Sequence, residues 1–134
     1  MENKIIIDGE NAVLGRLASF VAKQALLGKE VVVVNCKEVV VTGRPRSIIK
    51  EYKEAREKGG SSLHGPFFPR FPERIVKRTI RGMLAHKQLR GKTALKRVRC
   101  HNEIPAEFEN SKKFVAGKEK KIKTIKLKEL SKEI

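Results

Sequence analysis

One stretch of the chain could do chemistry on anions. Between His64 and His101 stand eleven Lys and Arg side chains against a single acid, Glu73. Guanidinium and ammonium groups at that density are phosphate donors. They could neutralise about six to ten phosphates, with binding that falls steeply as salt rises. The stretch opens His64-Gly65-Pro66-Phe67-Phe68-Pro69-Arg70-Phe71-Pro72. Its prolines stiffen the loop, so the aromatics lose little entropy on contact. At least two of the three phenylalanines are expected to staple the loop to the core. The remaining one, with Phe68 as candidate, would stack on a base or ribose, with Arg70 and His64 on phosphate.

Pro72 suits the first turn of a helix, with Glu73 beside it at the positive end of the dipole. At about 100° per residue, Val76, Ile80, Met83 and Leu84 share one face. Arg74, Lys77, Arg78 and Arg81 share the opposite one. Cations that crowd one face without acids to pair them call for phosphates as their screen. The run continues through His86, Lys87, Arg90, Lys92, Lys96, Arg97 and Arg99. Gly82 and Gly91 are expected to allow close backbone approach. Thr93-Ala94-Leu95 with Val98 predicts a short helix turning into a strand. Arg16, Arg44 and Arg46, outside this stretch, complete the candidate RNA contacts.

Other chemistries find no support. His64, His86 and His101 are the only histidines, and no paired carboxylates or G-x-S-x-G nucleophile turn accompany them. No catalytic residue is assigned. Gly9 to Gly15 sits where a phosphate-binding turn would sit, but five residues separate the glycines and Arg16-Leu17 follows. A Walker loop needs four, then Lys and Ser or Thr. G-x-G-x-x-G is also missing, so no nucleotide cofactor is expected. Cys36 and Cys100 form no C-x-x-C, and adjacent His101 would point away from Cys100 on a strand. No metal is expected, and the cysteines read as free thiols of a reducing compartment.

A scaffold must hold the cationic stretch. The chain has 134 residues, 40% of them hydrophobic, with a net charge of +16. That excludes a wholly disordered chain and suits a polyanion partner. No apolar run reaches the ~18 residues of a membrane span, and no secretory leader is visible, so a soluble intracellular protein is expected. Ile5-Ile6-Ile7 predicts a buried strand. Leu14, Leu17, Ala18, Val21 and Ala25 predict a helix that Gly28 ends. Val31–Val34 and Val39–Val41 predict further strands of a parallel sheet, and a helix is expected from about Ser47 to Arg56. Residues 1–110 are expected to form one α/β domain. Residues 111–134 are expected to form a basic extension, a short strand and a turn of helix packed on or trailing from it.

These residues resemble the universal thirteenth large-subunit ribosomal protein family, in its archaeal and eukaryotic form. The matching motifs include Ile7-Asp8-Gly9, Leu14-Gly15-Arg16-Leu17-Ala18-Ser19, Val31 to Asn35, Thr42-Gly43 and Arg70-Phe71-Pro72. The longest is Thr79-Ile80-Arg81-Gly82-Met83-Leu84, followed by His86-Lys87, Arg90-Gly91 and Ile104-Pro105. The resemblance runs from about Lys4 to Phe108. It implies a three-layer α/β/α fold around a small, mainly parallel sheet. It also implies binding to large-subunit rRNA beside neighbouring ribosomal proteins, in the cytoplasmic ribosome, without catalysis, cofactor, membrane or small-molecule substrate. Ala85 stands where family members often have Pro, and the leader typical of bacterial relatives is missing. The alternatives are a DNA-binding architectural protein and a nucleotide-dependent enzyme acting at Gly9–Arg16.

Overall fold

The computed structural model describes residues 4–57, 69–109, 113–115, 117 and 122–134. Strands buried on both faces are apolar without alternation. β1 (Lys4–Asp8) and β2 (Glu30–Val34) read that way and pair in parallel, with Ile5 opposite Val31 and Ile7 opposite Val33. The crossover between them is α1 (Leu14–Leu26), which buries Leu14, Leu17, Ala18, Val21, Ala22 and Ala25. Gly28 follows with φ +94°, the left-handed residue that ends such a helix.

After β2, Asn35 adopts the left-handed conformation (φ 58°) and its side chain donates to Asp8 Oδ1 at 3.0 Å. A 3-10 turn at Cys36–Glu38 then swings the chain away from the sheet. The valine run beyond it is β3 (Val40–Thr42). Contrary to the expectation from its composition, it does not join the parallel sheet. It pairs antiparallel with a strand from the far end of the chain. Then come α2 (Pro45–Glu57), α3 (Pro72–Gly82), α4 (Leu89–Lys96) and β4 (Val98–Cys100). Beyond a 3-10 turn at Ala106–Phe108 lie β5 (Phe114–Val115), β6 (Thr124–Lys126) and α5 (Leu127–Glu133).

The main sheet has four strands in the order β4-β2-β1-β5, every pairing parallel. β3 and β6 form the second, two-stranded sheet. The architecture is α/β, in the expected three-layer α/β/α arrangement. On one face Ile7, Val31 and Val33 pack with residues of α1, α3 and α5. On the other, Val32 and Val34 meet Phe108, with Ile6 at the margin. Leu127 and Leu130 of α5 are fully buried in the larger cluster. Lys126, at the end of β6, and Lys128, in the first turn of α5, both donate to Glu38, at 2.7 and 2.9 Å. They hold the Glu38 carboxyl below the ordinary carboxylate range.

Two outcomes follow from these contacts. Leu130→Ala removes a side chain with no exposure, so it should cost about 2–4 kcal/mol in urea unfolding. Glu38→Gln should cost about 1 kcal/mol at neutral pH, because its lysine partners are partly exposed. A lowered folded-state pKa stabilises above the ordinary carboxylate value, and that contribution is lost as pH falls through the lowered one. The gap between Glu38→Gln and the parent should therefore narrow and close as pH is taken down through and below the carboxylate range. A gap independent of pH would mean that the ion pairs do not contribute it.

Candidate nucleic-acid interface

α3 begins at Pro72, with Phe71 as the residue before the helix and Glu73 in its first turn. The Glu73 N–H donates to Asn102 Oδ1 at 3.1 Å, which fixes the helix start against the turn after β4. Pro72, Ile75, Val76 and Ile80 are buried along its inner face, and Leu84 just beyond it. Met83, expected on that face, is 46% exposed. The helix stops at Gly82, and Met83 is the residue that caps it.

On the outer side Arg74 and Arg81 are exposed and Arg78 is half-buried. The Arg74 guanidinium lies 5.8 Å from the Phe71 ring centroid, and that ring is 51% exposed. Phe71 is therefore no staple to the core. Phe67, Phe68 and His64 lie outside the described residues. Arg70 is exposed, and its Nε donates to the Ser131 carbonyl at 3.1 Å, tying the approach to α3 onto α5.

Lys77 departs from the expected solvent-facing row. It is half-buried, and its ammonium donates to the carbonyls of Leu95 (2.9 Å) and Val98. Burial lowers its pKa. The physical reason is the packing of α3 on β4. Carbonyls at the end of α4 lack helical partners, and a long stem can carry an ammonium to them. Arg97 serves α1 in the same way, its Nη1 donating to the Ala25 carbonyl at 2.9 Å. Both cations are engaged inside the protein.

Between α3 and α4 the chain turns tightly, with His86 N–H on Leu84 O and Gln88 N–H on Ala85 O. His86 is half-buried there, while Lys87, Arg90 and Lys92 are exposed. Of the two glycines, only Gly91 makes a close approach. A Cβ on Gly91 would lie 2.0 Å from the Ala85 carbonyl oxygen, whereas one on Gly82 would meet nothing within 4 Å.

Two further basic clusters flank this segment in the sequence. Lys96, Arg97 and Arg99 line a narrow cleft with Lys4 and Glu30, at the starts of the central strands. Arg44 and Arg46, at the start of α2, share a shallow depression with Ser47 and Lys123. Lys4 and Lys123 carry no sequence signal. Lys123 reaches the depression because its carbonyl accepts from the Gly43 N–H at 3.0 Å. Arg16 is exposed in the first turn of α1.

The turn from Gly9 to Ala12 is closed to a phosphate. Its N–H groups already have acceptors: Gly9 on Val34 O, Glu10 on Asp8 Oδ1, Asn11 on Glu38 O and Ala12 on Gly9 O. A Cβ on Gly9 would lie 2.8 Å from Val39 Cγ2, so this glycine serves close packing. Among the described residues, no group of three or more His, Cys, Asp or Glu could hold a metal ion. Among them too, no helix is long and apolar enough to cross a membrane.

Residues 2–107 match the family model described as ribosomal protein L13. The chain belongs to the ribosomal protein L13 family. It is 46% identical over 132 residues to the large ribosomal subunit protein uL13 of Methanocaldococcus jannaschii, covering 96% of each chain. Its identity to the uL13 of Methanosarcina barkeri is 45% over 107 residues, 79% of this chain and 76% of the relative. To the uL13 of Thermoplasma volcanium it is 42% over 132 residues, again 96% of each. The relatives are archaeal, as the motif series implies.

The two glycines of the family motifs should therefore respond oppositely to alanine. Gly91→Ala drives a methyl into backbone and should cost about 1–3 kcal/mol. Gly82→Ala adds one in open space at a helix end and should stabilise by about 0.5–1 kcal/mol. Thermal unfolding of the two variants checks this. Equal effects would disprove the close approach at Gly91.

Proposed function

We propose that this chain is a structural component of the large ribosomal subunit that binds large-subunit rRNA and helps it fold, without catalysis. Its partners are then rRNA and neighbouring large-subunit proteins, in the cytoplasmic ribosome. The observation that carries the reading is the set of exposed cations on a folded scaffold: Arg74, Arg81, Lys87, Arg90, Lys92, Lys96 and Arg99. Family membership says which polyanion to try first. Each phosphate contact releases condensed counterions and fixes the position of an RNA strand. RNA helices offer side chains shape, phosphates and 2′-hydroxyls more readily than base edges. A rigid basic surface is suited to recognise tertiary shape and hold several RNA segments together.

Sedimentation tests the assembly. In a sucrose gradient of a lysate from cells that make it, the protein should travel with large subunits and stay there through a high-salt wash. A position at the top at both salts would refute the reading. Competition between structured RNA and duplex DNA separates it from the architectural DNA-binding alternative. The interface has its own test. Arg81→Ala and Arg90→Ala should each weaken binding to large-subunit rRNA and reduce the slope of log affinity against log salt by about one. Lys77→Met should leave that slope unchanged while lowering stability, since its ammonium serves the protein. A flatter slope for Lys77→Met alone would reverse the assignment.

A further inference from the structure

Cys36 and Cys100 are 64 positions apart in the sequence and adjacent in the fold. Parallel pairing puts Cys100 opposite Val33. The chain then turns at Asn35, and the Cys36 N–H donates to the His101 carbonyl at 3.0 Å. The His101 N–H in turn donates to the Val33 carbonyl at 2.8 Å. The segment that carries each cysteine is thus tied through His101 to the other's. Cys36 lies in the main core cluster with Cys100 packed against it, and the Cys36 Sγ lies 3.7 Å from the Val33 carbonyl. They are the only cysteines in the chain, both free, Cys36 buried and Cys100 partly exposed.

Their surroundings give them different roles. The neighbouring Cys100 and burial, and to a lesser degree the Glu73 carboxylate, disfavour a thiolate at Cys36. Solvent reaches Cys100 and not Cys36. A thiolate is the nucleophile in disulfide exchange, and access decides which sulfur meets the oxidant.

We propose that Cys36 and Cys100 are a site of reversible oxidation to an intramolecular disulfide, with a low-molecular-weight disulfide as oxidant. The Cys100 thiolate attacks one sulfur of the small disulfide and expels the other as a thiolate, leaving a mixed disulfide on Cys100. The expelled thiolate takes the proton of the Cys36 thiol. The Cys36 sulfur then attacks the Cys100 sulfur and expels the second small thiolate, which takes up the proton that Cys100 had released. Two protein thiols are oxidised to one disulfide, and one small disulfide is reduced to two thiols. The bond closes a loop over α2, α3 and α4, and pins the end of β4 to the turn after β2. Closing a loop of that length restricts the unfolded chain and raises the melting temperature.

The test uses the purified full-length protein, fully reduced, with glutathione disulfide as the probe. Intact mass should show a monomer lighter by two hydrogens and free of glutathione. Dithiothreitol should reverse the change, and the oxidised form should melt about 10 °C higher. Cys36→Ser should stop at one glutathione on Cys100, and Cys100→Ser should stay unmodified while folded. Intermolecular dimers, glutathione retained on both cysteines, or an unchanged mass would overturn the proposal. Where a serine variant fails to fold, the wild-type reaction run folded and in urea decides. A disulfide that forms no faster in the folded protein than in urea would also overturn it.

Discussion

β2 is paired on both edges and packed on both faces. β1 and β4 hydrogen-bond to it from either side, and Val31 to Val34 are each at most 1% exposed. From Val31 to Val34 it has no polar side chain to offer water, and every backbone group there must find a partner in a neighbouring strand. Its position therefore dictates where everything else attaches. β1 and α1 come to it from the N-terminal side as one crossover unit. β4 comes to it from the other end of the cationic stretch, bringing α3 and α4. That second pairing, together with the packing of α3 and α4 on α1, fixes the basic half of the chain against the apolar half.

The basic half then faces its own constraint. Like charges on a small surface repel, and a helix bearing them needs an inner face strong enough to hold it. Ile75, Val76 and Ile80, all fully buried, supply that face on α3. Gly91 supplies the other requirement, because only a residue without a side chain lets α4 start against the Ala85 carbonyl. The cations are thereby held on rigid elements, which lowers the ordering cost of meeting a structured polyanion.

Much of this was legible in the sequence because the signals were local. The β1–α1–β2 unit followed from two apolar runs and one amphipathic period, ended by Gly28 at the expected left-handed position. The start of α3 followed from Pro72, and the α4–β4 elbow from Thr93-Ala94-Leu95 with Val98. What failed was non-local. Val39–Val41 has the composition of a parallel strand, but the left-handed Asn35 and the 3-10 turn redirect it to β6. Nothing in a single run of residues announces a partner so distant. Lys77 lies on the cationic side of the wheel, and only the end of α4 packing beside it draws its ammonium inward. Gly82 and Gly91 look alike in sequence, and only the turn between the helices sets them apart.

Lys77, Arg70 and Arg97 point to how so basic a chain holds itself together. Each donates to backbone carbonyls: Leu95 and Val98, Ser131, and Ala25. With one acid between residues 64 and 101, ion pairs are not available there in number, whereas helix ends, and the outer edge of β4 at Val98, present carbonyls in need of a donor. The part-buried contacts of Lys77 and Arg97, unlike the exposed one of Arg70, are little affected by ionic strength. Phosphate contacts on the open surface carry the full counterion dependence. The same residue types thus play two physically distinct parts. Those turned inward hold the fold at any salt, and those turned outward make salt a measure of how many phosphates are bound.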